Sequence, residues 1–490
     1  MNSSQNDAQP QSTVQEEAVE AQDKNQELFP IVGIGASAGG LTAFTELLSH
    51  LPSDTGMGFV LIQHLSPDSK SLLSEILARV TQMPVIEVQD GMSVEPNHVY
   101  IIPPNSKMIL AQNLLRLTPR DQNRGMHMTV DAFFNSLAAE RGSKGIGVIL
   151  SGAAGDGAQG LKAIKVAGGI TFAQCEETAQ VSSMPSTAAA TGDVDFILSP
   201  EAIAAELVEI SCHPYVTRVT LEATVEKAKN ENVQRNIFLL LRSATGIDFT
   251  DYKQTTLKRR ILRRMALYKF DILEDYVKYL QDNPKEVEAL SQEFLIHVTS
   301  FFRDPEAFQA LKEQVFPRIM LDRAPDDPIR IWVPGCSTGE EVYSIAICLL
   351  EFLDDQPALP TIQIFGTDVS DLAIEKARLG IYIPSLVDQI TPERIRRFLV
   401  KVEGGYEISK SVRQMCVFAK QNLLADPPFS HLDLISCRNV LIYFGTALQK
   451  QVIPLFHYNL NPTGFLILGT SETTGEGSDL FKLVDKKQKI

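Results

Sequence analysis

Short runs that are apolar at almost every position recur along the chain and alternate with stretches of helical periodicity. Between Leu28 and Cys212 these runs are FPIVGIGAS, FVLIQHLS, GIGVILSG, GITFAQ and DFILSP. Strands buried on both faces of a parallel sheet have this pattern, because helices cover the two faces. The sequence therefore predicts a parallel α/β domain over residues 29–212.

The pattern changes twice in the second half of the chain. Residues 213–232 are charged and helical without a strong apolar face, which predicts a linker. Residues 233–316 have helical periodicity and no strand-like run, and the alternation returns over residues 317–490 with IRIWVPG, IQIFGTD, LDLISC and GFLILG. The predicted fold class is α/β, with two doubly wound parallel-sheet domains, the second preceded by a small all-helical subdomain.

The two ends of the chain differ from its interior. Residues 1–28 are rich in Gln, Glu, Ser and Asp, and bury too little apolar surface to offset the entropy of ordering, which predicts a disordered tail. The chain ends at LVDKKQKI. A natural C-terminus and excision from a longer protein both stay open, and excision would leave further C-terminal signalling domains as partners in the parent chain.

Composition narrows the classes of function. The formal net charge of -15 over 490 residues disfavours nucleic-acid binding, which needs a basic surface. No run approaches the roughly 18 apolar residues of a membrane span, and the first residues do not form a secretory signal. The six cysteines are scattered without a CxxC pair. We therefore expect a cytoplasmic protein with neither membrane insertion nor a metal site.

A first candidate site begins in IVGIGASAGG. Small neighbours let Ser37 occupy a tight strand-to-helix turn, where free N–H groups of the helix could hold an oxyanion. His64 ends the next strand and could act as the base that a serine nucleophile requires. Asp156, in VILSGAAGDGAQG, could orient that histidine, and the alternative for it is a helix cap.

The same region approximates a dinucleotide-binding fingerprint. Gly33, Gly35 and Gly39 have roughly the required spacing, but the fingerprint also needs an acidic residue at the end of the second strand. That strand ends in Gln63 and His64. The missing acid disfavours a nucleotide site and a dinucleotide-dependent oxidoreductase.

Four motifs in order, GASAGG, QHLSP, SGAAGDGAQGL and VSSMPSTA, resemble the catalytic domain of chemotaxis protein-glutamate methylesterase (CheB-like) over residues 29–212. The resemblance implies that Ser37 is the nucleophile, His64 the general base and Asp156 its orienting carboxylate. The implied substrates are glutamate methyl esters on receptor helices, with methanol as product. Related enzymes also deamidate glutamines.

The chain departs from that family in two places. Ala153 and Ala154 stand where the family usually has bulkier residues, often a methionine, so the shape of the substrate pocket should differ. Family members typically carry a phospho-receiver domain ahead of the catalytic domain, whereas about 28 residues precede it here. Control by that route is not expected from this chain.

A second candidate site begins in IRIWVPGCSTGEEVYSIAI, which predicts a strand, a glycine-containing turn and a helix. The next strand, IQIFGTD, ends in Asp368, where a carboxylate can accept hydrogen bonds from ribose hydroxyls. Glu340 and Glu341 would repel a pyrophosphate but tolerate a cationic sulfonium, which favours S-adenosylmethionine (SAM) over NAD. The alternative is that these acids only complement the helix dipole.

The strings HVTSFFRDPEAF, PGCSTGEE, GTD, KQNLL and HLDLISCRNVLIYF resemble the chemotaxis-receptor glutamate methyltransferase family (CheR-like) over residues 230–490. The resemblance implies cytoplasmic helical domains of chemoreceptors as partners and SAM as cosubstrate. The residues it implies as SAM contacts are Thr299, Arg303, Glu341, Asp368, Asn422, Leu423, Arg438 and Asn439.

The acceptor glutamate, with a pKa of roughly 4.3, is already ionised at neutral pH, so methyl transfer needs positioning rather than a base. Arg303 and Tyr443 are candidates for orienting the reacting groups. The basic helical segment TLKRRILRRMALYK carries Arg260 and Arg264 on one face. We hypothesise that these two arginines dock a glutamate-rich receptor helix or line the acceptor site.

Together the two sites predict a bifunctional receptor-modifying enzyme, a protein-glutamate O-methyltransferase fused to a protein-glutamate methylesterase in chemotaxis-type signalling. The alternative is a signalling scaffold in which one or both sites are degenerate, since a fold can be kept for binding alone. The completeness of both residue sets favours activity.

Overall fold

The computed structural model describes residues 28–63, 72–119, 128–217, 227–295, 299–321, 323–324, 327–354, 360–387 and 389–490. The chain forms two compact units, residues 1–223 and 224–490. The predicted tail over residues 1–28, apart from Leu28, and residues 218–226 of the predicted linker lie outside the described residues. Within the described residues, no helix combines the length and the apolar character needed to cross a bilayer.

The first unit is built on a seven-stranded parallel sheet with the strand order β10-β9-β8-β1-β2-β5-β3, beside a small antiparallel sheet with the order β4-β7-β6. The strands are β1 Ile31–Ala36, β2 Gly58–Gln63, β3 Val85–Glu87, β4 Met92–Ser93, β5 Val99–Ile101, β6 Ser106–Ala111, β7 Leu114–Pro119, β8 Gly145–Ile149, β9 Ile170–Gln174 and β10 Phe196–Leu198. The helices are α1 Gly40–Ser49, α2 Leu73–Leu77, α3 Thr129–Arg141, α4 Ala158–Val166, α5 Ser183–Ala190, α6 Pro200–Cys212 and α7 Pro214–Thr217, with a 3₁₀ turn at Gly142–Lys144.

Two glycines of β1 show why the dinucleotide fingerprint was misleading. A Cβ atom on Gly33 would lie 2.9 Å from the ring of Phe134, and one on Gly35 would overlap Val130. Both partners belong to α3, which covers this face of the sheet. The glycines therefore let α3 pack closely on the sheet, and this packing explains their spacing without a bound pyrophosphate.

The second unit contains a five-stranded parallel sheet with the order β16-β12-β11-β17-β18 and a small antiparallel sheet with the order β13-β15-β14. The strands are β11 Ile329–Pro334, β12 Ile362–Asp368, β13 Ile381–Tyr382, β14 Leu399–Val402, β15 Gly405–Ile408, β16 Cys416–Lys420, β17 Leu432–Cys437 and β18 Leu460–Leu468. The helices are α8 Lys227–Thr245, α9 Gln254–Leu267, α10 Leu273–Asp282, α11 Pro284–Phe294, α12 Pro305–Ala310, α13 Phe316–Met320, α14 Glu340–Phe352, α15 Asp371–Leu379, α16 Pro384–Val387, α17 Pro392–Phe398, α18 Lys410–Arg413 and α19 Thr446–Asn459. A π-helical turn spans Leu311–Val315, and 3₁₀ turns span Leu441–Tyr443 and Gly475–Leu480.

Helices α8 to α11 form the predicted helical subdomain, with an apolar core of their own that includes Ile237, Leu257 and Leu290. Phe301 and Phe316 instead pack in the core of the parallel sheet, together with Ile331. By its packing, the segment after α11 therefore belongs with the sheet domain, although its helical periodicity resembles that of the subdomain.

The predicted fold class is confirmed, with a parallel sheet in each unit and a helical subdomain ahead of the second. The nine apolar runs quoted above coincide with β1, β2, β8 to β12, β17 and β18. The two antiparallel sheets were not predicted, because their strands have two to six residues and give little periodic signal.

Candidate active sites

The turn after β1 holds Ser37 against the neighbouring turn after β8. The Ser37 backbone N–H donates to the carbonyl of Ser151 at 3.0 Å, and the Ser151 hydroxyl donates to the carbonyl of Ala38 at 2.8 Å. A Cβ atom on Gly152 would lie 3.0 Å from that of Ser37, so a glycine permits this close approach. Gly39 has a φ of 78° and leads into α1. The half-buried serine is thus fixed at the N-terminal end of a helix.

Asp156 is buried, and its carboxylate caps a helix other than the one that follows it. Its two oxygens accept hydrogen bonds from the backbone N–H groups of Val130 and Asp131, both at 2.9 Å, at the start of α3. The Asp131 carboxylate in turn accepts from the N–H of Gly160 at 2.6 Å, at the start of α4. The two aspartates therefore cap each other's helices, and each lies near a positive helix end.

In this carboxylate pair the protonation of Asp131 is altered. Burial, and after it the charge of Asp156, raises the pKa of Asp131 to about 7, although hydrogen bonds from three backbone amides lower it in part. The sequence analysis missed Asp131. The available signal was an acidic residue in the first turn of this helix, and such a residue can equally serve only to complement the helix dipole.

The strand order brings two members of the predicted triad, Ser37 and Asp156, to one edge of the sheet. Ser37 follows β1, Asp156 follows β8, and β1 lies between β8 and β2 in a parallel arrangement. His64 follows β2 directly but lies outside the described residues. Its neighbour Gln63 is described, and its side-chain amide lies 3.5 Å from the carbonyl oxygen of Ser37.

The altered loop before Asp156 lies at the surface beside Ser37. Ala153 and Ala154 are exposed, and Ala154 has a φ of 68°, in the left-handed region that residues with a Cβ rarely adopt. The buried Met184, from α5, packs against Gly152. A methionine thus lies close to the turn, but it comes from another element than the one where the family usually has it.

The second unit contains a cleft at the carboxyl edge of its parallel sheet. All eight predicted SAM contacts line the cleft, and they are Thr299, Arg303, Glu341, Asp368, Asn422, Leu423, Arg438 and Asn439. Tyr443 lines it as well.

The turn after β11 is shaped around Asp368. The Asp368 carboxylate accepts hydrogen bonds from the backbone N–H groups of Ser337 and Ser370, both at 2.9 Å. Gly335, Ser337 and Gly339 all have positive φ values, of 68°, 51° and 95°. A serine in this region is strained, and such strain concentrates where a loop is held for binding. Each oxygen of Asp368 keeps a lone pair for a ligand hydroxyl.

Glu341 brings a second carboxylate to the cleft. It accepts from the Ser436 hydroxyl at 2.6 Å and lies 3.4 Å from the Arg438 guanidinium. Burial raises the pKa of the Glu341 carboxyl, and the charge of Arg438 and the Ser436 hydroxyl offset this only in part. Glu340 is fully buried, accepts the Thr338 hydroxyl and does not line the cleft, so only one of the two acids can face a ligand.

Arg438 anchors the segment that carries Arg303. Its guanidinium donates to the carbonyl of Arg303 at 2.8 Å and to the Asp304 carboxylate at 2.7 Å. Phe302 and Asp304 have φ values of 50° and 57°, so the chain around Arg303 adopts an uncommon conformation that this arginine stabilises. Arg438 therefore contributes to the cleft mainly by holding the Arg303 turn.

Two asparagines of the cleft, Asn422 and Asn439, are held by hydrogen bonds to their surroundings. The Asn422 side chain accepts from the N–H of Leu424 at 3.0 Å. The buried Glu472 accepts from the N–H groups of Asn439 at 2.8 Å and Ile442 at 3.2 Å. Asn439 has a φ of 60°, so Glu472 fixes another strained cleft residue. The sequence analysis missed Glu472, although an acid soon after the apolar run GFLILG repeats the pattern that identified Asp368.

Tyr443 is half-buried in the cleft wall. Burial raises the pKa of its phenol, while the positive charges of Arg303 and Arg260 lower it in part. The hydroxyl therefore stays protonated at neutral pH and can donate a hydrogen bond to a carboxylate.

The hypothesis that Arg260 and Arg264 dock a receptor helix or line the acceptor site stays a prediction, and the structure places both side chains beside acids of the helical subdomain. Arg264 donates to Glu286 in a close ion pair, and Arg260 is buried at 3.9 Å from Glu293. Neither residue lines the cleft. With Arg263, which is fully buried and bonds Glu293 at 2.8 Å, they form an ion-pair network inside the helical subdomain. The i,i+4 spacing identified a shared face, but that face turns inward, onto acids of α11.

Comparisons with known proteins agree with this division of the chain. The family model for CheB methylesterase matches residues 32–207. The family model for the all-alpha domain of CheR methyltransferase matches residues 235–295, and that for its SAM-binding domain matches residues 297–490.

Several curated proteins are similar to this chain. An uncharacterised 104.1 kDa protein of Rhodobacter capsulatus is 35% identical over 437 residues, and the match spans 85% of this chain but 46% of that protein. A putative methyltransferase of Pseudomonas putida is 37% identical over 50% of this chain and 90% of its own length. Chemotaxis protein methyltransferase 2 of Vibrio cholerae is 32% identical over 48% of this chain and 84% of its own.

Among solved structures, the CheB methylesterase catalytic domain of Thermotoga maritima is 32% identical, with a TM-score of 0.36, over 37% of this chain and 99% of that one. The family assignment rests on the sequence matches. Over its second half the chain is more than 30% identical to methyltransferases that it covers almost completely. The chain therefore belongs to the CheR methyltransferase family and carries a CheB methylesterase domain ahead of its CheR domains.

Proposed function

We propose that this chain both adds and removes methyl groups on glutamate side chains of chemoreceptor cytoplasmic helices. The second unit would transfer a methyl group from SAM to a glutamate carboxylate. The first unit would hydrolyse the resulting ester and release methanol. The observation that carries the proposal is the convergence of all eight expected SAM contacts on one cleft, with Asp368 at the end of the second strand.

The cleft residues fit SAM by charge and by position. Asp368 keeps acceptor capacity for ribose hydroxyls, and the Glu341 carboxylate would stabilise the cationic end of the ligand. When bound, SAM supplies an electrophilic methyl group. Arg303 and Tyr443 would hold the acceptor carboxylate in line with it, which is a task of positioning alone since the carboxylate is already ionised.

The first unit supports ester hydrolysis through Ser37. Its hydroxyl would attack the ester carbonyl and expel methanol, leaving an acyl-enzyme that water then hydrolyses. His64 would take the serine proton, and Asp156, fixed by the amides of α3, would orient that histidine. N–H groups at the start of α1 would stabilise the oxyanion. The same steps would deamidate a glutamine, with ammonia as the leaving group.

We infer that the protein acts in the cytoplasm, on the cytoplasmic helical domains of receptors. The domain composition supports a role in receptor modification, because both domain families are named for opposite reactions on the same kind of group. Both sites would then act on one receptor pool.

The test uses the full chain, SAM with a tritiated methyl group, and a purified receptor cytoplasmic fragment. Base-labile label on the receptor is expected, followed by volatile labelled methanol once SAM is removed. Receptor that acquires no label would contradict methyl addition, and stable label that never becomes volatile would contradict methyl removal.

A further inference from the structure

The helical subdomain contributes part of the wall of the cleft, through Tyr252, Phe294 and Leu295. Residues 251–253, which precede α9, lie against the 3₁₀ turn that ends at Tyr443. The N–H of Lys253 donates to the carbonyl of Tyr443 at 3.0 Å, and the N–H of Gly445 donates to the carbonyl of Asp251 at 2.9 Å. These two bonds form an antiparallel bridge between Tyr252 and Phe444.

The bridge needs an uncommonly close approach of the two segments. A Cβ atom on Gly445 would lie 2.6 Å from the carbonyl oxygen of Asp251. Only glycine leaves room there. The helical subdomain is thus joined by backbone bonds to the segment that carries Tyr443.

The bridge fixes the ring of Tyr252 at the cleft. The ring packs edge-on against Phe249, with centroids 5.1 Å apart, and against Phe444 at 5.3 Å. Phe249 packs edge-on against Phe294 in turn, and Tyr252, Phe294 and Phe444 all line the cleft. An aromatic side chain held on two sides loses little further freedom when a ligand binds.

Tyr252 and Asp368 line the same cleft. Burial, and after it the charge of Asp368, raises the pKa of this phenol to about 12, so it stays protonated at neutral pH. A neutral phenol can both donate and accept a hydrogen bond. Asp368, whose two oxygens already accept backbone amides, offers acceptors only.

We infer that Tyr252 is a further ligand-binding residue of the cleft, and that its hydroxyl completes with Asp368 a subsite for the ribose hydroxyls of SAM. The inference rests on the proposed methyltransferase function. It assigns a SAM contact to the segment between α8 and α9, whereas the predicted SAM contacts begin at Thr299. Formation of the ribose subsite then depends on the bridge between Tyr252 and Phe444, so the subdomain takes part in binding the cosubstrate.

The test is calorimetry on the full chain with Tyr252→Phe. This variant keeps the ring and its packing and removes one hydroxyl, so the dissociation constant for SAM should rise about three- to tenfold, as for one net hydrogen bond. Tyr268→Phe is the matched control, because this exposed tyrosine belongs to the same subdomain and does not line the cleft. It should bind SAM like the unchanged chain.

A second ligand separates a ribose contact from a change in packing. With an analogue of S-adenosylhomocysteine that lacks both ribose hydroxyls, Tyr252→Phe and the unchanged chain should bind equally. An equal loss of affinity for both ligands, or no loss for SAM, would overturn the assignment. A failure of the unchanged chain to bind SAM would instead overturn the proposed methyltransferase function itself.

Discussion

The turns after β1 and β11 occupy the same place in their sheets, each between a central strand and the helix that follows it. In both, a side chain at the end of the neighbouring strand reaches back to the turn. In the first unit this is Gln63, whose amide lies 3.5 Å from the Ser37 carbonyl oxygen. In the second it is Asp368, which accepts the Ser337 N–H at 2.9 Å. The same arrangement of strand, turn and helix thus exposes a serine hydroxyl in the first unit and a ligand-binding carboxylate in the second.

The difference teaches that the residue at the end of the second strand is more informative than the glycines of the first turn. The glycines of β1 serve the packing of α3, whereas those around Ser337 adopt positive φ values within the binding turn. Glycine spacing alone does not separate these two uses. The presence or absence of an acid at the end of the second strand does separate them, because a carboxylate can accept hydrogen bonds from ribose hydroxyls.

The largest expected effect comes from Ser37→Ala, and the corresponding change in the other turn, Ser337→Ala, should have a small effect. Ser37→Ala should lower methanol release by at least about 1,000-fold, because the nucleophile is lost. Ser337→Ala keeps the backbone N–H that binds Asp368, so SAM affinity should fall by less than about threefold, within one neutral hydrogen bond. Methanol release and SAM calorimetry are the two assays. If Ser337→Ala abolished SAM binding, the cradle would depend on the hydroxyl and the comparison would fail.

The next effect concerns pH and the first unit only. The folded pKa of Asp131, about 7, lies above the usual value of about 3.9. Its contribution to folding is therefore fully present below pH 4 and is lost as pH rises through 7, a change on the order of 4 kcal/mol. Asp131→Asn should remove this dependence, so the variant should gain stability relative to the unchanged chain between pH 4 and pH 7.5.

Chemical unfolding monitored at several pH values measures that difference. The control is Asp54→Asn, an exposed carboxyl of the same unit, which should follow the unchanged chain. If the stability of Asp131→Asn and that of the unchanged chain varied with pH in parallel, the pKa of Asp131 would not be raised in the folded protein.

A third effect separates arginines of the cleft from arginines of the helical subdomain. Arg264→Ala leaves Glu286 buried without this partner, which should destabilise the second unit by about 3 kcal/mol. Arg259→Ala, from the exposed side of α9, should change stability by less than about 0.5 kcal/mol. Thermal unfolding of both variants provides the measurement. An Arg264→Ala variant of unchanged stability that had lost receptor binding would instead support the docking hypothesis.

The smallest of these effects tests the acid that distinguishes the two turns. Asp368→Asn should raise the dissociation constant for SAM about 30-fold, since hydrogen bonds to a charged group become weaker ones. Asp371→Asn is the matched control, because this exposed carboxylate three residues later pairs with Lys420. Equal affinities for both variants would remove the basis for treating Asp368 as the ribose-binding acid.

The sequence alone predicted the parallel sheets, because buried parallel strands are continuous apolar runs. Among the described residues, it also placed Asp368 and Glu341 at one cleft through recognisable motifs. What it could not predict were contacts between distant segments that no recognised motif identifies. Asp131 and Asp156 are 25 residues apart and meet only because α3 and α4 begin at the same place.

The same limit explains why the ion pairs of Arg260 and Arg264 were not predicted. Helical spacing shows which residues share a face, but the neighbour of that face is set by tertiary packing. Here the neighbour is α11, which supplies Glu286 and Glu293. Tyr252 escaped prediction for a similar reason, since it reaches the cleft through a bridge to Phe444, almost 200 residues later in the chain.

The central claim is that one chain holds two independent sites for opposite reactions. The most direct measurement follows tritiated methyl groups from SAM to receptor and then to methanol, with the Ser37→Ala and Asp368→Asn variants of the full chain. Ser37→Ala should accumulate receptor label without releasing methanol. Asp368→Asn should label poorly at limiting SAM and still release methanol from receptor methylated beforehand. Loss of both activities in either variant, or methanol release that persists in Ser37→Ala, would contradict the account.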